Sequence, residues 1–207
     1  MNQWVELLTE QIRQTTLIEW VAVILGVAEV LLAKRNNILL YPAGIGGSAI
    51  GIILFIKAGL FADAGLSFYY VIVSIYGWII WSRRKNEPPL QVAYANKQEW
   101  FMTLLIAFGG GIAIYWILIT FTPSTVPVMD AWVTSSAWAG TWLLARRRIE
   151  NWVVLNVSNL FAIPLLFYKH LPLFALLTLF LFIIAIFGYF DWQKVYRTQQ
   201  KLQPVAQ

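Results

Sequence analysis

Two stretches of the chain repeat each other about 112 residues apart, and this duplication limits the possible folds more than any other feature. The string WVAVILGVAEVLLAKR begins at Trp20 and WVTSSAWAGTWLLARR at Trp132. The same shift of 112 carries LLAKR (31–35) onto LLARR (143–147) and LFIK (54–57) onto LFYK (166–169). SIYGWIIW (74–81) matches AIFGYFDW (185–192) at a shift of 111, so one residue is lost in between. A duplicated apolar unit predicts a membrane transporter with its substrate held between two halves.

Hydrophobic residues make up 59% of the chain and charged residues 12%, with mean hydropathy +0.66. Soluble domains carry roughly twice that charged fraction, so the class is integral membrane protein. The absence of cysteine excludes disulfides and thiolate chemistry. His170, beside Lys169, reads as a solvated turn residue. Neither a metal site nor a cofactor is expected, and an enzyme would need a cluster of acids, histidines or metal ligands that the sequence lacks. The pI near 9.5 reflects topology-setting basic residues and implies no nucleic-acid partner.

A spanning helix needs about 20 apolar residues. Seven segments qualify, near 17–33, 37–56, 64–82, 100–121, 129–146, 149–168 and 171–192, with the fifth and sixth admitted by their alignment to the first and second. The polar residues of those weak spans face protein or a cavity, not lipid. With seven spans, 12 of the 15 Lys and Arg residues fall on one side, which the positive-inside rule makes cytoplasmic. The N-terminus is then outside and the C-terminus inside. The expected architecture is an all-α membrane protein of 3+1+3 form, with parallel three-helix repeats at 17–82 and 129–192 joined by a linker helix at 100–121. Residues 1–16 read as an interfacial amphipathic helix, 83–99 as a cytoplasmic loop containing Pro88-Pro89, and 193–207 as a cytoplasmic tail.

LLAKRN (31–36), YPAG (41–44), SIYGW (74–78), ARRRIENW (145–152) and FGYFDW (187–192), in this order and spacing, make the chain similar to the PnuC family of vitamin transporters. The resemblance covers essentially the whole chain. It implies facilitated diffusion of nicotinamide riboside or a related water-soluble vitamin across the inner membrane, by alternating access. It also implies trapping by a cytoplasmic vitamin kinase and assembly as a homotrimer in membrane lipid. Thiamine, riboflavin or a deoxynucleoside are the alternative cargoes within the family. A non-transporting receptor or scaffold is the alternative of another class.

The family's sixth-helix signature, Trp-x-x-Trp-x-x-x-Asn, falls here on Trp152, Leu155 and Asn159, with Leu155 replacing the second Trp. Trp152, Leu155, Asn156 and Asn159 share one helical face. An aromatic ring with two carboxamides suits a flat heterocycle bearing a ribose. Competing readings are an interfacial belt for Trp152 and interhelical hydrogen bonding for the two Asn residues. Tyr70 and Ser74 share a face of the third span and form a second pocket wall. Ser135, Ser136 and Trp138 lie mid-span on the fifth, where the two serines also suit close helix packing. Glu19 and Glu29 are acids within the first apolar run. Glu29, expensive in a membrane, either binds a cationic vitamin, relays a proton or pairs with Lys34 or Arg35. Gly109–Gly111 read as a hinge or a close-packing point, and Pro164 as a kink.

Overall fold

The computed structural model describes residues 3–57, 61–82 and 91–202. Arg83, Arg84, Lys85 and Pro88-Pro89 of the expected loop, and the last five residues of the tail, lie outside the described residues. Among the described residues there are eight helices: α1 (Gln3–Gln14), α2 (Leu17–Lys34), α3 (Leu40–Lys57), α4 (Phe61–Ser82), α5 (Lys97–Phe121), α6 (Pro127–Ala145), α7 (Asn151–Tyr168) and α8 (Pro172–Leu202). Each of the seven expected apolar segments is a helix. Five of them (α3, α4, α5, α7 and α8) are long and apolar enough to cross a membrane, or six if α1 and α2, bent by 106° at their junction, count as one. The eighth runs to Leu202, well past Trp192, so most of the expected tail is helical.

Local chemistry sets the ends. Thr16 and Glu19 form a reciprocal capping box that starts α2, which occupies Glu19 at the helix end and outside the bundle core. Asn96 and Glu99 do the same for α5. Pro127 opens α6 at a position where no N–H is needed. Asn36 and Arg147, just past α2 and α6, both take positive φ (54° and 61°). Asn tolerates that region better than most residues, and Arg147 is held there by hydrogen bonds of the turn and by its guanidinium on the Asn36 side chain, 2.8 Å away. Within α5, residues Leu105–Gly109 form a π turn, and Gly110 and Gly111 then press against Trp138 and Ser135 of α6. α7 passes through Pro164 without ending.

The helices themselves recur at a shift of 111. It carries Leu40–Lys57 onto Asn151–Tyr168, the first residue of α4 onto that of α8, and Asn36 onto Arg147. The register is therefore one residue tighter than the string match of LLAKR with LLARR, because an identical string displaced by one position no longer points the same side chains inward. α3 packs between α2 and α4, and α7 between α6 and α8. The two triplets meet crosswise, α2 against α8 and α4 against α6, while α5 lies against α6.

At the basic end of the bundle the two triplets are stitched together. Trp81 donates its indole N–H to the Ala145 carbonyl (3.1 Å) and Trp192 donates to the Ala33 carbonyl (2.9 Å), so each third helix holds the last turn of the other triplet's first helix. Tyr41 packs edge-on to Trp81, and Trp152 edge-on to Trp192. Gly77 lies under the Tyr41 ring and Gly188 under the Trp152 ring. Glu99, 3% exposed, binds Arg148 at 2.8 Å and Arg146 at 3.3 Å. The segment before α5 adds a short bridge, Ala93 pairing with the Arg147–Ile149 backbone, while the Glu150 carboxylate accepts from the Ala95 N–H. At the opposite end, both ends of the Gln11 amide tie α1 to the α7–α8 turn, and Lys169 pairs with Asp130.

Candidate functional site

A cavity of about 210 Å³ sits where the two triplets meet, beyond the aromatic cluster of the basic end. Its lining is built in pairs. The shift of 111 carries Val30 to Thr141, Ala33 to Leu144, Ser48 to Asn159 and Tyr70 to Leu181, and all eight residues line it. Glu29, Trp152, Leu155 and Ala185 complete the wall. The positions equivalent to Trp152 and Ala185 are Tyr41 and Ser74, which line a smaller adjoining recess together with Glu29 and Tyr70.

The remaining pairing is a crossover. In the first triplet Glu29 projects from α2 across Gly44 of α3, so closely that a Cβ on Gly44 would lie 2.5 Å from its Oε1. The equivalent positions are Gly140 and Leu155. There Leu155 projects from α7 across Gly140 of α6, its Cγ 2.6 Å from where a Cβ would stand. At one helix crossing the side chain comes from the first helix and the glycine from the second; at the other the roles are exchanged. A carboxylate and an isobutyl group thus enter the cavity from opposite sides.

Of the residues expected at a site, Glu29, Tyr70, Trp152 and Asn159 line this cavity, and Ser74 lines the adjoining recess. Asn156 and Trp138 do not line the cavity. Asn156 donates to the Phe182 carbonyl at 3.3 Å and lines an outer groove between α7 and α8; its Oδ1 accepts from Asn159. Trp138 stacks on Tyr69, ring centres 4.3 Å apart, beside α5. The 3.6-residue period places Asn156 a helical step off the inward line, so a shared face in sequence was too coarse a criterion. Ser135 and Ser136 are buried between helices; Ser135 fills the space left by Gly111. Trp152 is 2% exposed and wedged on Gly188, so it is not a belt residue.

Ser48, Thr141 and Leu144 were not foreseen. The duplication in its 111 register finds Ser48, since shifting Asn159 back by 111 gives it; Thr141 and Leu144 answer Val30 and Ala33, which carry no signal of their own.

Two polar atoms at equivalent places are buried without a hydrogen-bond partner, the Trp152 indole N–H and the Tyr41 hydroxyl. The Asn159 amide nitrogen donates to Asn156 Oδ1, and Asn159 lines the cavity. Among the described residues there is no cluster of His, Cys, Asp and Glu able to hold a metal. The cavity offers stacking, hydrogen bonding and one carboxylate, an inventory for holding a small polar aromatic molecule.

The chain matches the family model described as nicotinamide mononucleotide transporter over residues 16–194. The nicotinamide riboside transporter PnuC of Escherichia coli (strain K12) is 21% identical over 201 residues, with 84% of each chain covered. The protein of the same name from Shigella flexneri matches to the same extent. A crystal structure of the vitamin B3 transporter PnuC superposes with a TM-score of 0.70 at 19% identity, covering 95% of this chain and 91% of the other.

Proposed function

The chain belongs to the nicotinamide mononucleotide (PnuC) transporter family, a multi-pass inner-membrane vitamin transporter and not an enzyme, and from that premise we propose that it carries nicotinamide riboside or a close relative by facilitated diffusion through the paired cavity. The observation that carries the reading is the cavity itself, placed between two triplets and lined at equivalent positions by both. A site on the joint between repeats is where alternating access has the substrate.

All seven long helices span the membrane in this reading, as two parallel repeats with α5 as linker, N-terminus outside and basic end in the cytoplasm. The 111-residue recurrence of helix ends supports the repeats. Arg146, Arg147, Arg148, Lys34 and Arg35, gathered at one end, support the orientation. At about 210 Å³ the cavity is smaller than the ~300–1,000 Å³ usual for ligand clefts. The triplets must part to admit or release a vitamin. The Tyr41–Trp81–Trp192–Trp152 cluster forms the floor that opens toward the cytoplasm. A cytoplasmic kinase then consumes the cargo and maintains the gradient. The long apolar face of α5, with Phe101, Phe108, Ile112 and Trp116 exposed, meets lipid or neighbouring protomers of a trimer.

Within the site Trp152 forms the stacking wall and Asn159 and Tyr70 supply hydrogen bonds, with Glu29 in the wall beside Tyr70 and Ser74 in the recess behind. Leu155 in place of an aromatic wall favours a second reading, in which the cargo is thiamine or another vitamin of the family. Titration calorimetry of the purified protein against nicotinamide riboside, thiamine, riboflavin and deoxyadenosine decides between them. One compound binds, and Trp152→Phe and Asn159→Ala each weaken it. Binding unaffected by both changes would remove the site from this cavity.

A further inference from the structure

The cavity is electrically one-sided, and the side that carries charge is not the helix that carries the family signature. On the first triplet's wall stand Glu29, Ser48 and Tyr70, with Ser74 and Tyr41 in the recess behind. Val30 and Ala33 complete that wall, and on the second stand Thr141, Leu144, Trp152, Leu155, Asn159, Leu181 and Ala185. The neutral pairs are mixed, Tyr70 answering Leu181 and Ser74 Ala185 but Val30 answering Thr141, so the contrast lies in charge: the Glu29 carboxylate enters from one side and Leu155 from the other.

Glu29 has no hydrogen bond and no ion pair among the described residues. The candidate partners are engaged elsewhere. Lys34 pairs with Asp191 at 3.6 Å, and Arg147 lies over Trp81 while bonding Asn36. Among the described residues no Lys, Arg or His lines the cavity. A glycine is spent on seating the carboxylate, since any side chain at position 44 would collide with it. An acid in a membrane-spanning bundle is costly without a counter-charge, and the space in front of it is empty of protein.

We propose that Glu29 is the charge-selecting residue of this site: the cargo is a flat aromatic monocation whose positive centre lies against Glu29 and whose apolar face rests on Trp152 and Leu155. The inference rests on the reading of the cavity as the transport site. It explains how a site with Leu at 155 still discriminates, because a carboxylate across the cavity supplies the attraction for a cationic ring that a second indole face would give. It also fixes the orientation of the cargo. The charged end points to the first triplet and hydroxyl or amide groups reach Asn159 and the free Trp152 N–H.

The test compares two forms of one molecule on the full-length protein in detergent: nicotinamide riboside, a pyridinium cation, and its uncharged 1,4-dihydro form, with thiamine as a second cation. Wild type binds a cation more tightly than the uncharged form. Glu29→Gln, which keeps the shape over Gly44, weakens the cation about 10- to 100-fold, the scale of one partly buried charge pair, and weakens the uncharged form far less. Gly44→Ala, which dislodges the carboxylate, acts in the same direction. Retained binding of the uncharged form shows that the variants are folded. Equal weakening of both forms, no weakening of either, or wild-type preference for the uncharged form overturns the charge inference and leaves the cavity as the transport site. Failure of wild type to bind any of the three overturns the reading of the cavity and this inference with it.

Discussion

Gly188→Ala tests the aromatic-on-glycine packing that joins the site to the floor. A Cβ at position 188 would lie 2.7–2.8 Å from three atoms of the Trp152 indole. Carbon atoms rest about 3.5–4.0 Å apart, so the ring must retreat by roughly 1 Å. Behind it stands Trp192, 0% exposed and 5.7 Å away edge-on, and in front is the cavity. The ring moves into the cavity or the helices separate. Overpacking of this kind costs about 1–3 kcal/mol, or about 2–12 °C in Tm for a chain of this length. Ligand binding weakens in parallel because the stacking wall is displaced. Differential scanning fluorimetry in detergent reads the first effect and calorimetry the second. Gly26→Ala is the control: nothing lies within 4 Å of its Cβ position, and Ala there stabilises α2 by about 0.4–1 kcal/mol. The decisive comparison is the double variant. In a Trp152→Phe background, which removes much of the crowding indole, Gly188→Ala becomes nearly neutral. If its cost is the same in both backgrounds, the two positions are not coupled and the packing argument fails.

Glu99→Ala leaves Arg148 unpaired where it is only 17% exposed, and costs about 2–4 kcal/mol in thermal unfolding; Arg146→Ala, at a 37% exposed partner, costs less than Arg148→Ala. Trp81→Phe and Trp192→Phe each delete an indole N–H bond to a buried carbonyl and lower stability by about 1–2 kcal/mol; because both bonds cross between the triplets, each also speeds release of bound vitamin in a stopped-flow chase. Leu155→Trp forces an indole against Gly140 or into a 210 Å³ space, so binding of the wild-type ligand falls at least tenfold by order of magnitude; tighter binding instead would show that the signature tryptophan fits this chain unaltered.

The helices were legible in the sequence to within a few residues because long apolar runs act locally. The apolar runs placed helices near 17–33 and 129–146, and they run Leu17–Lys34 and Pro127–Ala145; the Thr16–Glu19 box and Pro127 that set their starts were not read from the sequence. The register of the duplication was legible only to within one residue. String identity rewards LLAKR over LLARR at 112, whereas packing is decided by which side chains face inward, and that follows 111. Asn156 came forward with Asn159 for a different reason, that positions i+4 and i+7 share one broad helical face with Trp152. Trp138 shows a different limit. Its position within α6 is clear from sequence, but that it turns toward Tyr69 and α5 depends on where the linker helix lies. The seat of Glu29 on Gly44 was beyond reach for the same reason. Glycine in a helix signals that something approaches closely, not which residue does so.

The duplication is kept and lost in a spatial order that follows from what each level does. At the basic end the copies agree. Tyr41 on Gly77 beside Trp81 repeats as Trp152 on Gly188 beside Trp192, and each indole reaches across to the other copy. There each triplet's partner is the other triplet, so an interaction that serves one half serves both. Around the cavity the copies diverge: Glu29 over Gly44 against Leu155 over Gly140, Tyr70 against Leu181, Ser48 against Asn159. A vitamin on an approximate two-fold axis has no two-fold symmetry of its own, so equivalent positions meet different chemical groups and cannot both be optimised as copies. A cargo that was itself symmetric would call for matched pairs here. The mismatch is greatest at the carboxylate and the isobutyl group, and the cargo should therefore be most polar at one end and most apolar at the other.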